Sequence, residues 1–420
     1  MAKPKYKSLR GMPDIIPPEA EIISCIENKA REVFRTFCYS EIRTPLLEET
    51  EVFTRSIGED TDIVEKEMYS FTDRGGKNIS LRPEGTASII RSYIEHGWFN
   101  TGGVVKLCYF GPMFRGERPQ KGRLRQFNQI GAEIIGASSP YIDAEIILNL
   151  EAVLKGLGVE GFTLLINSLG CGKDRDGYTG ALAAYLKEKE AYLCDDCKRR
   201  SRSNVLRVLD CKREGCKKVV KEAPSVLEHL CEACQSDHEA LKEILVEMGM
   251  DFTEKKDLVR GLDYYTGTVF EVVHPSLGSQ DAIAAGGRYD ELTREMGGPD
   301  TGATGYAIGI ERLLLVIDKK KIAREHAEAV VIPVGDEHKK EAFDLTNKFR
   351  ASGIPCQMDH SGRSFKGQMR KADKEGKRFV VLLGEDEIKS GKVLVKDMKL
   401  GEQKMLTFEE AVEELKREQV

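Results

Sequence analysis

The stretch FGPMFRGERPQKGRLRQFNQIGAEIIG, from Phe110 to Gly136, decides the fold predicted for this chain. Residues 104–114 are apolar and β-prone, which predicts a strand, and residues 115–123 then gather basic side chains with a proline and two glycines in a loop. Alternation resumes after the loop, and one face of a second predicted strand is mainly apolar. The opposite face carries Arg125, Phe127, Gln129 and Glu133. The stretch therefore predicts a β-hairpin with one polar face.

This polar face suits a ligand that is charged and flat. Guanidinium groups match phosphate oxygens bidentately, and an aromatic ring such as that of Phe127 can stack on a base. A carboxylate such as that of Glu117 can accept hydrogen bonds from an exocyclic amine. The residues alone leave two interpretations open: a nucleotide-binding wall, or a hairpin whose basic tip is solvated like most exposed charge runs.

Composition and missing motifs bound the kind of protein. A length of 420 residues suits two or three domains, and a net charge of −5 gives no sign of nucleic acid, so RNA would have to meet local basic patches. No apolar run has the length of a secretory signal or a membrane span. Eleven cysteines without a signal peptide predict a cytoplasmic protein with thiols or a metal rather than disulfides. Neither a Walker A loop nor a Rossmann glycine motif is present, which argues against those nucleotide-binding folds.

Changes of pattern along the chain predict three domains. Apolar residues at helical spacing over 19–37 predict a helix near the start of a core domain, and the strand pattern of that domain returns after residue 250. The intervening segment is rich in lysine, glutamate and cysteine and predicts a small, mainly helical insertion. In the last hundred or so residues strands alternate with helices, which predicts an independent α/β domain. The predicted boundaries are 1–169 and 251–325 for the core, 170–250 for the insertion, and 326–420 for the last domain.

The insertion contains two Cys-x2-Cys pairs with the spacing of a structural zinc site. These pairs are Cys194–Cys197 and Cys231–Cys234. A third pair, Cys211-x4-Cys216, lies between them in sequence. One hypothesis is a four-cysteine zinc site built from the two Cys-x2-Cys pairs. The alternative is a set of reduced thiols in a small domain, and the sequence leaves both open.

Four stretches carry a resemblance to a known family. FRGERPQKGRLRQFNQIGAE resembles motif 2 of class II aminoacyl-tRNA synthetases, and in detail that of the histidyl-tRNA synthetase family. LVRGLDYYTGTVFEVV at 258–273 resembles the histidine-specific signature of that family, and LRPEGT at 81–86 resembles its amino-acid loop. AAGGRYDELTREMGG and GATGYAIGIERLLLVI, between 284 and 317, resemble the region that runs into motif 3. GYAIGIER lacks one glycine of the wider class II pattern, as the histidine branch typically does.

The resemblance spans nearly the whole chain and implies both a fold and an activity. The fold is α/β (α+β), with a class II antiparallel catalytic sheet and helices, the helical insertion, and a C-terminal α/β anticodon-binding domain. The activity is ATP-dependent ligation of L-histidine to tRNA(His) through a histidyl-adenylate, with Mg²⁺ accompanying ATP and a homodimer built on motif 1 at 39–49. The alternative is the histidine-binding regulatory subunit of ATP phosphoribosyltransferase, which typically erodes these motifs and lacks the anticodon domain.

The resemblance also implies roles for residues that bind ATP and the tRNA end. Arg115 and Arg260 flank the α-phosphate as the catalytic pair, with Arg260 supplying charge that a metal supplies in other class II enzymes. The further ATP-binding residues are Arg123 at the phosphates, Arg312 at the γ-phosphate, Glu117 at the adenine amine and Phe127 stacked on the base. Arg118 and Gln120 are implied at the acceptor end of tRNA.

For histidine, both ends of a small polar substrate must be satisfied. The residues implied near the α-ammonium are Glu84, Gly85, Thr86 and Gln129. Those implied near the imidazole are Glu133, Tyr264, Tyr265 and Tyr289, and Arg115 and Arg260 belong to the histidine-binding set as well. Without the resemblance, residues 84–86 favour a simple helix-capping turn.

Overall fold

The structure of the chain is a computed structural model that describes residues 5–58, 61–278, 282–322, 329–360 and 362–417. Two compact units divide the chain at Met1–Ala323 and Arg324–Val420. The predicted insertion at 170–250 is part of the first unit and does not form a compact unit of its own.

The first unit combines short and long strands with helices. Its strands are β1 (Ser40–Glu41), β2 (Leu47–Glu49), β3 (Ser70–Thr72), β4 (Asn78–Leu81), β5 (Val105–Phe114), β6 (Gln126–Ile135), β7 (Thr163–Ser168), β8 (Phe252–Glu254), β9 (Thr266–Val273), β10 (Ala282–Arg288) and β11 (Ala303–Gly309). Its α-helices are α1 (Glu19–Thr36), α2 (Thr50–Ile57), α3 (Thr86–Glu95), α4 (Pro140–Gly156), α5 (Gly172–Glu188), α6 (Asp195–Ser203), α7 (Glu214–Lys221), α8 (Glu232–Glu247), α9 (Leu292–Glu295), α10 (Ile310–Leu313) and α11 (Lys319–Ile322).

Eight of these strands form one sheet in the order β1-β5-β6-β11-β10-β9-β7-β8. The six inner strands pair antiparallel, whereas the edge strands β1 and β8 run parallel to their neighbours. Strands β5 and β6 are the predicted hairpin, and their register sets Tyr109 opposite Gly131. On its other side β6 pairs with β11, which sets Gly305 opposite Glu133. The prediction of an antiparallel catalytic sheet is confirmed.

Helices α1 and α4 cover one face of this sheet. The apolar residues of α1 recur at helical spacing and are buried: Ile22, Ile23, Ile26, Ala30 and Phe34. Strand β6 meets these helices with the fully buried Ile130, Ala132 and Ile134. Burial of each isoleucine contributes about 1.5–3 kcal/mol, and a one-residue slip of β6 would bury its polar residues instead. This apolar layer therefore fixes which residues of β6 reach the opposite face.

The opposite face of the sheet is bordered by a small sheet and by α3. Strands β2, β4 and β3 pair antiparallel in that order, and β3 and β4 form a hairpin around DRGGK at 73–77. The LRPEGT segment follows β4 and leads directly into α3, so the start of that helix lies against β6 through the hydrogen bond from Thr86 to Glu133.

The inserted segment is mainly helical, as predicted. It consists of α5 to α8 with short 3-10 helices between them at Glu190–Tyr192, Val205–Val208 and Val226–His229. A separate apolar cluster, which includes Tyr178, Leu186 and Val208, packs its interior. Leu241 and Leu245 of α8 join the core beneath the main sheet, and they attach the end of the insertion to it.

The second unit is a smaller α/β domain. Its strands are β12 (Ala329–Pro333), β13 (Cys356–Met358), β14 (Phe379–Leu383), β15 (Val393–Asp397) and β16 (Gln403–Leu406). Its helices are α12 (Lys339–Ala351), α13 (Phe365–Lys374), α14 (Glu385–Ser390) and α15 (Phe408–Arg417). The sheet order is β13-β12-β14-β15-β16, parallel from β13 to β14 and antiparallel thereafter. The sequence missed α14, which is short and polar, and β16, an edge strand with little apolar alternation.

Among the described residues, no helix is both long enough and apolar enough to span a membrane.

Candidate active site

The polar face of the main sheet forms the floor of a cleft of about 950 Å³, a volume typical of small-molecule sites. The cleft brings together most residues that the sequence implicated in ligand binding. These are Glu84, Thr86, Arg115, Glu117, Arg123, Phe127, Gln129, Arg260, Tyr264, Tyr265 and Arg312. Glu133 and Tyr289 are buried beside this lining and reach it through the hydrogen bond between Thr86 and Glu133.

The turn before α3 places a buried carboxylate at the cleft. Glu84 is 4% exposed, and its two oxygens accept hydrogen bonds from the backbone N–H groups of Thr86 at 2.6 Å and Ala87 at 2.9 Å. Burial raises the pKa of the Glu84 carboxyl, and the two N–H donors oppose that rise. A carboxylate has about four acceptor sites, so Glu84 caps α3 and keeps acceptor capacity for a ligand.

Glu133 lies deepest in the site. It is fully buried on β6, where it accepts hydrogen bonds from the Thr86 hydroxyl at 2.7 Å and from the Tyr289 hydroxyl. Burial raises the pKa of Glu133 from 4.5 to about 8; the charge of Glu84 adds to the rise, and both hydroxyl donors oppose it. A carboxyl that changes protonation near neutral pH can either donate to or accept from a titratable ligand such as an imidazole.

Three buried tyrosines surround this carboxyl. The ring centroids of Tyr264 and Tyr265 lie 4.7 Å apart, and those of Tyr264 and Tyr289 lie 5.4 Å apart in an edge-to-face arrangement. Aromatic walls with hydroxyl groups at their tips suit a flat, polar ring. Residues 264 and 265 precede β9, and Tyr289 follows β10, so antiparallel pairing of these strands brings the three rings together.

Gln129 presents an unsatisfied acceptor to the cleft. Its buried Oε1 has no hydrogen-bond partner within the described part of the chain, although buried polar atoms are nearly always paired. Gln129 lines the same cleft as Glu84. The amide oxygen of Gln129 and the carboxylate of Glu84 can both accept from a ligand such as an α-ammonium group, because an ammonium carries three N–H donors.

Arg260 is held in the cleft by a carboxylate that the sequence analysis missed. Its Nη1 donates to Oε1 of Glu271 on β9 at 3.2 Å, and its buried Nε has no partner among the described residues. Burial is the largest single influence and lowers the pKa of the Arg260 guanidinium, but the charge and hydrogen bond of Glu271, together with Tyr265 and Asp210, outweigh it and the net shift is upward. The group therefore keeps its positive charge and retains donor capacity.

Three arginines concentrate positive charge along the cleft. Arg115 donates from Nε to the carbonyl of Pro83 at 2.9 Å, and its guanidinium lies 5.4 Å from the ring centroid of Phe127. Burial, together with the charges of Arg123 and Arg115, lowers the pKa of Arg312 to about 10, while Glu117 and Glu271 oppose the shift. A cluster of cations that destabilise one another is suited to a polyanion such as a triphosphate.

Glu311, the residue before Arg312, fixes the position of Arg312 in the cleft. Glu311 accepts hydrogen bonds from the backbone N–H of Asn128 at 2.9 and 3.0 Å and from its side-chain amide at 3.0 Å. These bonds tie the short helix α10 to β6. Arg312 itself donates to the carbonyl of Ala282 at 2.7 Å.

Tyr109 and Gly131 are further site residues that the sequence analysis missed, and the ring of Tyr109 also meets the predicted Gly85. Tyr109 is buried on β5, and a Cβ on Gly131 would lie 2.2 Å from its ring while one on Gly85 would lie 2.5 Å from it. Glycine at both positions lets the ring lie flat beneath the cleft. The hairpin register, which sets Tyr109 opposite Gly131, was the signal that could have identified it.

Replacement of Gly305 by alanine is expected to weaken ligand binding at Glu133. An added Cβ would lie 1.5 Å from Oε2 of Glu133, so the carboxyl would have to leave its place between Thr86 and Tyr289. We expect affinity for histidine, the ligand that the resemblance implies, to fall at least about tenfold in calorimetry and stability to fall by about 1–3 kcal/mol.

Gly309→Ala on the same strand is the matched control, because a methyl group there meets its nearest atoms at 3.9 Å. Equal losses of histidine affinity in the two variants would contradict this account of Gly305.

Arg118 and Gln120 lie outside the cleft lining. Both are exposed at the tip of the β5–β6 loop, which closes through backbone hydrogen bonds between Gln120 and Arg123 at 3.0 and 2.9 Å. Their predicted contact with tRNA stays a prediction.

The predicted zinc ligand set is wrong. Cys194 and Cys197 lie together with Cys211 and Cys216, whereas Cys231 and Cys234 form a different group with Cys171 and Asp174. The two Cys-x2-Cys pairs begin different helices, α6 and α8, and chain spacing does not determine which helix starts meet. Cys211 and Cys216, which the sequence analysis noted but did not include in the ligand set, lie beside Cys194 and Cys197 where Cys231 and Cys234 were expected.

The fold and the cleft define a class of protein. An antiparallel sheet whose polar face carries motif 2 arginines on a hairpin, a substrate pocket beside it and an arginine on the short helix after the sheet's final strand is the architecture of class II aminoacyl-tRNA synthetases.

Comparison with known proteins gives the family. A model of histidyl-tRNA synthetase matches residues 11–313, and an anticodon binding domain model matches 328–418. Histidine–tRNA ligases of Halothermothrix orenii and Thermodesulfovibrio yellowstonii are 45% and 46% identical, each over 98% of this chain and 99% of the relative. The crystal structure of apo S. aureus histidyl-tRNA synthetase superposes with a TM-score of 0.81 at 35% identity and covers 98% of this chain and 100% of that one. The chain belongs to the histidyl-tRNA synthetase family.

Proposed function

We propose that this chain activates L-histidine with ATP and transfers the histidyl group to the terminal ribose of tRNA(His). The observation that carries the proposal is one cleft with two chemically different regions. Phe127, beside Arg115, and Glu133, amid the tyrosines, are six residues apart on β6, which corresponds to roughly 20 Å. That span accommodates a nucleotide joined to an imidazole amino acid.

Activation needs no nucleophile from the protein. A carboxylate oxygen of histidine attacks the α-phosphorus of ATP, the bond to the bridging oxygen breaks, and pyrophosphate leaves with the electron pair. Negative charge grows on the α-phosphate during this step. Arg115 and Arg260 supply fixed positive charge there, because Pro83 and Glu271 hold their guanidinium groups in place.

ATP binding is proposed to exchange an ion pair for substrate contacts. Arg123 pairs with Glu117 at 3.0 Å, and the Arg123 side chain is 37% exposed. A pair this exposed is worth at most about 1 kcal/mol, so opening it costs little. Arg123 then joins Arg312 at the phosphates, and Glu117 accepts from the adenine amine while Phe127 stacks on the base.

Histidine is proposed to be recognised at both ends. Glu84, Thr86 and Gln129 receive the α-ammonium, where the absence of a side chain at Gly85 leaves room for Tyr109. Glu133, Tyr264, Tyr265 and Tyr289 enclose the imidazole. A pocket built to hydrogen-bond such a ring rejects apolar analogues by about 10⁴-fold, since its buried polar groups would otherwise be unpaired.

Mg²⁺ is proposed to accompany ATP. This ion prefers oxygen ligands and usually binds through substrate phosphates with one or two carboxylates. Glu271 lines the cleft beside Arg260 and fits that requirement. The ion would neutralise phosphate charge when bound.

Further proposals concern the setting of the reaction. We place it in the cytoplasm, which agrees with eleven free cysteines. We assign 1–169 and 251–325 to the catalytic core, 170–250 to the insertion and 326–420 to anticodon binding, and we expect motif 1 to form a homodimer. Arg118 and Gln120, exposed at the loop tip, are assigned to the acceptor end of tRNA.

The alternative, a histidine-binding regulatory subunit of ATP phosphoribosyltransferase, has less support. Such a subunit needs the histidine pocket but not the arginine cluster. Here Arg115, Arg260 and Arg312 all line the cleft, and an anticodon binding domain model matches 328–418.

The experiment that separates these functions is pyrophosphate–ATP exchange with each of the twenty amino acids in the absence of tRNA. We expect exchange with histidine alone, followed by charging of tRNA(His) when tRNA is added. Folded protein that binds histidine but catalyses no exchange would support the regulatory function and overturn the proposal.

A further inference from the structure

The insertion contains four thiols that converge although they come from separate turns of the chain. Every pair of sulfur atoms among Cys194, Cys197, Cys211 and Cys216 lies within 4.8 Å. Sulfurs on a tetrahedral zinc ion with bonds of about 2.3 Å would be about 3.8 Å apart. The sulfurs of Cys194 and Cys211 are 4.0 Å apart. We propose that these four cysteines hold a structural zinc ion.

The local backbone is arranged as a pair of metal-binding turns. Cys194 is the residue that precedes α6, and Cys197 lies in the first turn of that helix. Cys211 lies three residues before α7, which begins at Glu214, and Cys216 lies in the first turn of that helix. The sulfur of Cys216 also accepts a hydrogen bond from the backbone N–H of Cys194 at 3.3 Å, a contact that stabilises a thiolate ligand.

Burial and charge agree with a closed structural site. Cys197 and Cys216 are fully buried in the apolar cluster of the insertion, and the other two thiols are half-buried against it. Four thiolates around one Zn²⁺ carry a net charge of about −2. The segment from 194 to 218 contains nine lysines and arginines and four acidic residues, so it supplies compensating positive charge.

The neighbouring group of Cys171, Asp174, Cys231 and Cys234 is explained without a metal. One oxygen of Asp174 accepts from the backbone N–H of Cys171 at 3.1 Å and the other from that of Cys231 at 3.0 Å. The carboxylate thus ties together the starts of α5 and α8. Cys231 is exposed, and this group serves as an internal control for the proposed zinc site.

The position of the four cysteines gives the metal a structural purpose. Between Cys197 and Cys211, Asn204 donates to Oδ2 of Asp263 at 2.9 Å, and Arg207 donates to the carbonyl of Gly261. The loop at 261–263 lies between Arg260 and the two tyrosines that follow it. Zinc bound by Cys197 and Cys211 would fix both ends of the segment between them. It would thereby hold this segment against the loop at 261–263, which is part of the histidine signature.

Metal analysis of the full chain, purified without chelators or immobilised metal, tests the proposal. We expect about one zinc per chain in the unaltered protein, and less than about 0.1 in Cys197→Ser and Cys216→Ser. The double variant Cys231→Ser/Cys234→Ser should keep its zinc. Zinc below about 0.1 per chain in unaltered protein that also takes up none after reduction would overturn the site, as would stoichiometric iron in its place.

A second measurement covers variants that fail to fold. Cobalt added to the reduced, metal-stripped full chain should give the intense absorption of tetrahedral cobalt–thiolate coordination, and zinc should displace it. The same stripping should speed tryptic cleavage within 198–202 several-fold, because α6 loses the ligands at its start. Cobalt bound without thiolate absorption, or zinc lost from the Cys231→Ser/Cys234→Ser variant alone, would refute the ligand set.

Discussion

Glu133→Gln is expected to lower kcat/KM for histidine in pyrophosphate exchange by about 10³-fold, whereas KM for ATP should change little. The amide keeps the shape of the carboxyl but cannot carry the negative charge that an imidazole N–H or imidazolium would meet. Removing one partner of a buried, charge-assisted hydrogen bond costs about 2–5 kcal/mol, and this range brackets a thousandfold effect.

The pH dependence of the stability of Glu133→Gln tests whether this variant folds correctly. The pKa of Glu133 is about 8 in the folded chain against an ordinary 4.5, so between these values the folded state holds a proton that the unfolded state has released. Stability therefore falls as pH rises through this window, by up to about 5 kcal/mol at pH 8. Glutamine does not titrate, and the variant should gain stability relative to the unaltered chain between pH 5 and pH 8.

Thermal unfolding at both pH values and exchange kinetics on one preparation measure the two effects together. Loss of activity together with loss of stability at pH 8 would indicate misfolding rather than lost recognition. Activity within about fivefold of the unaltered chain would remove Glu133 from the imidazole site. Glu254→Gln, which alters a carboxylate paired with His238 and Lys242 away from the cleft, is the control.

Local periodicity explains why the polar face of β6 was predictable, whereas the other candidate site residues were implied by the family resemblance. Strict alternation along β6 separates Ile130, Ala132 and Ile134, which are buried under α1 and α4, from Gln129 and Glu133 on the other face. A strand pattern of period two is a property of neighbouring residues, so it can be recognised without knowing the rest of the fold. The helix-capping turn at residues 84–86 was predictable because capping also depends on neighbouring residues.

What the sequence could not predict depends on which distant segments meet. Glu271 pairs with Arg260 because β9 folds back beside the signature loop, and nothing in the local pattern of either residue indicates it. The cysteine groups are a second example, since two equivalent Cys-x2-Cys pairs begin helices that pack apart. Gly305 is a third, because its lack of a side chain is required by Glu133 on the neighbouring strand, more than 170 residues earlier.

Arg260→Ala is expected to lower kcat for pyrophosphate exchange by about 10³-fold while KM for ATP and for histidine changes less than about tenfold. Arg260 is proposed to stabilise charge that grows only as the carboxylate attacks the α-phosphorus, and removal of one such preorganised donor typically costs 10²- to 10³-fold. The kcat of Arg260→Lys should lie between that of Arg260→Ala and that of the unaltered chain. Lysine restores the charge but not the planar guanidinium that can bind Glu271 and phosphate together.

The control for Arg260 is Arg207→Ala. Arg207 supports the same loop from outside the cleft through the carbonyl of Gly261 and the carboxylate of Asp263, so its loss should loosen the loop without removing charge from the α-phosphate. We expect a lower melting temperature and a higher KM for histidine, with kcat within about fivefold. If Arg207→Ala reduced kcat as much as Arg260→Ala does, loop position rather than charge would explain both effects. Pre-steady-state measurement of adenylate formation distinguishes the two, because a charge effect slows the chemical step even when both substrates saturate the site.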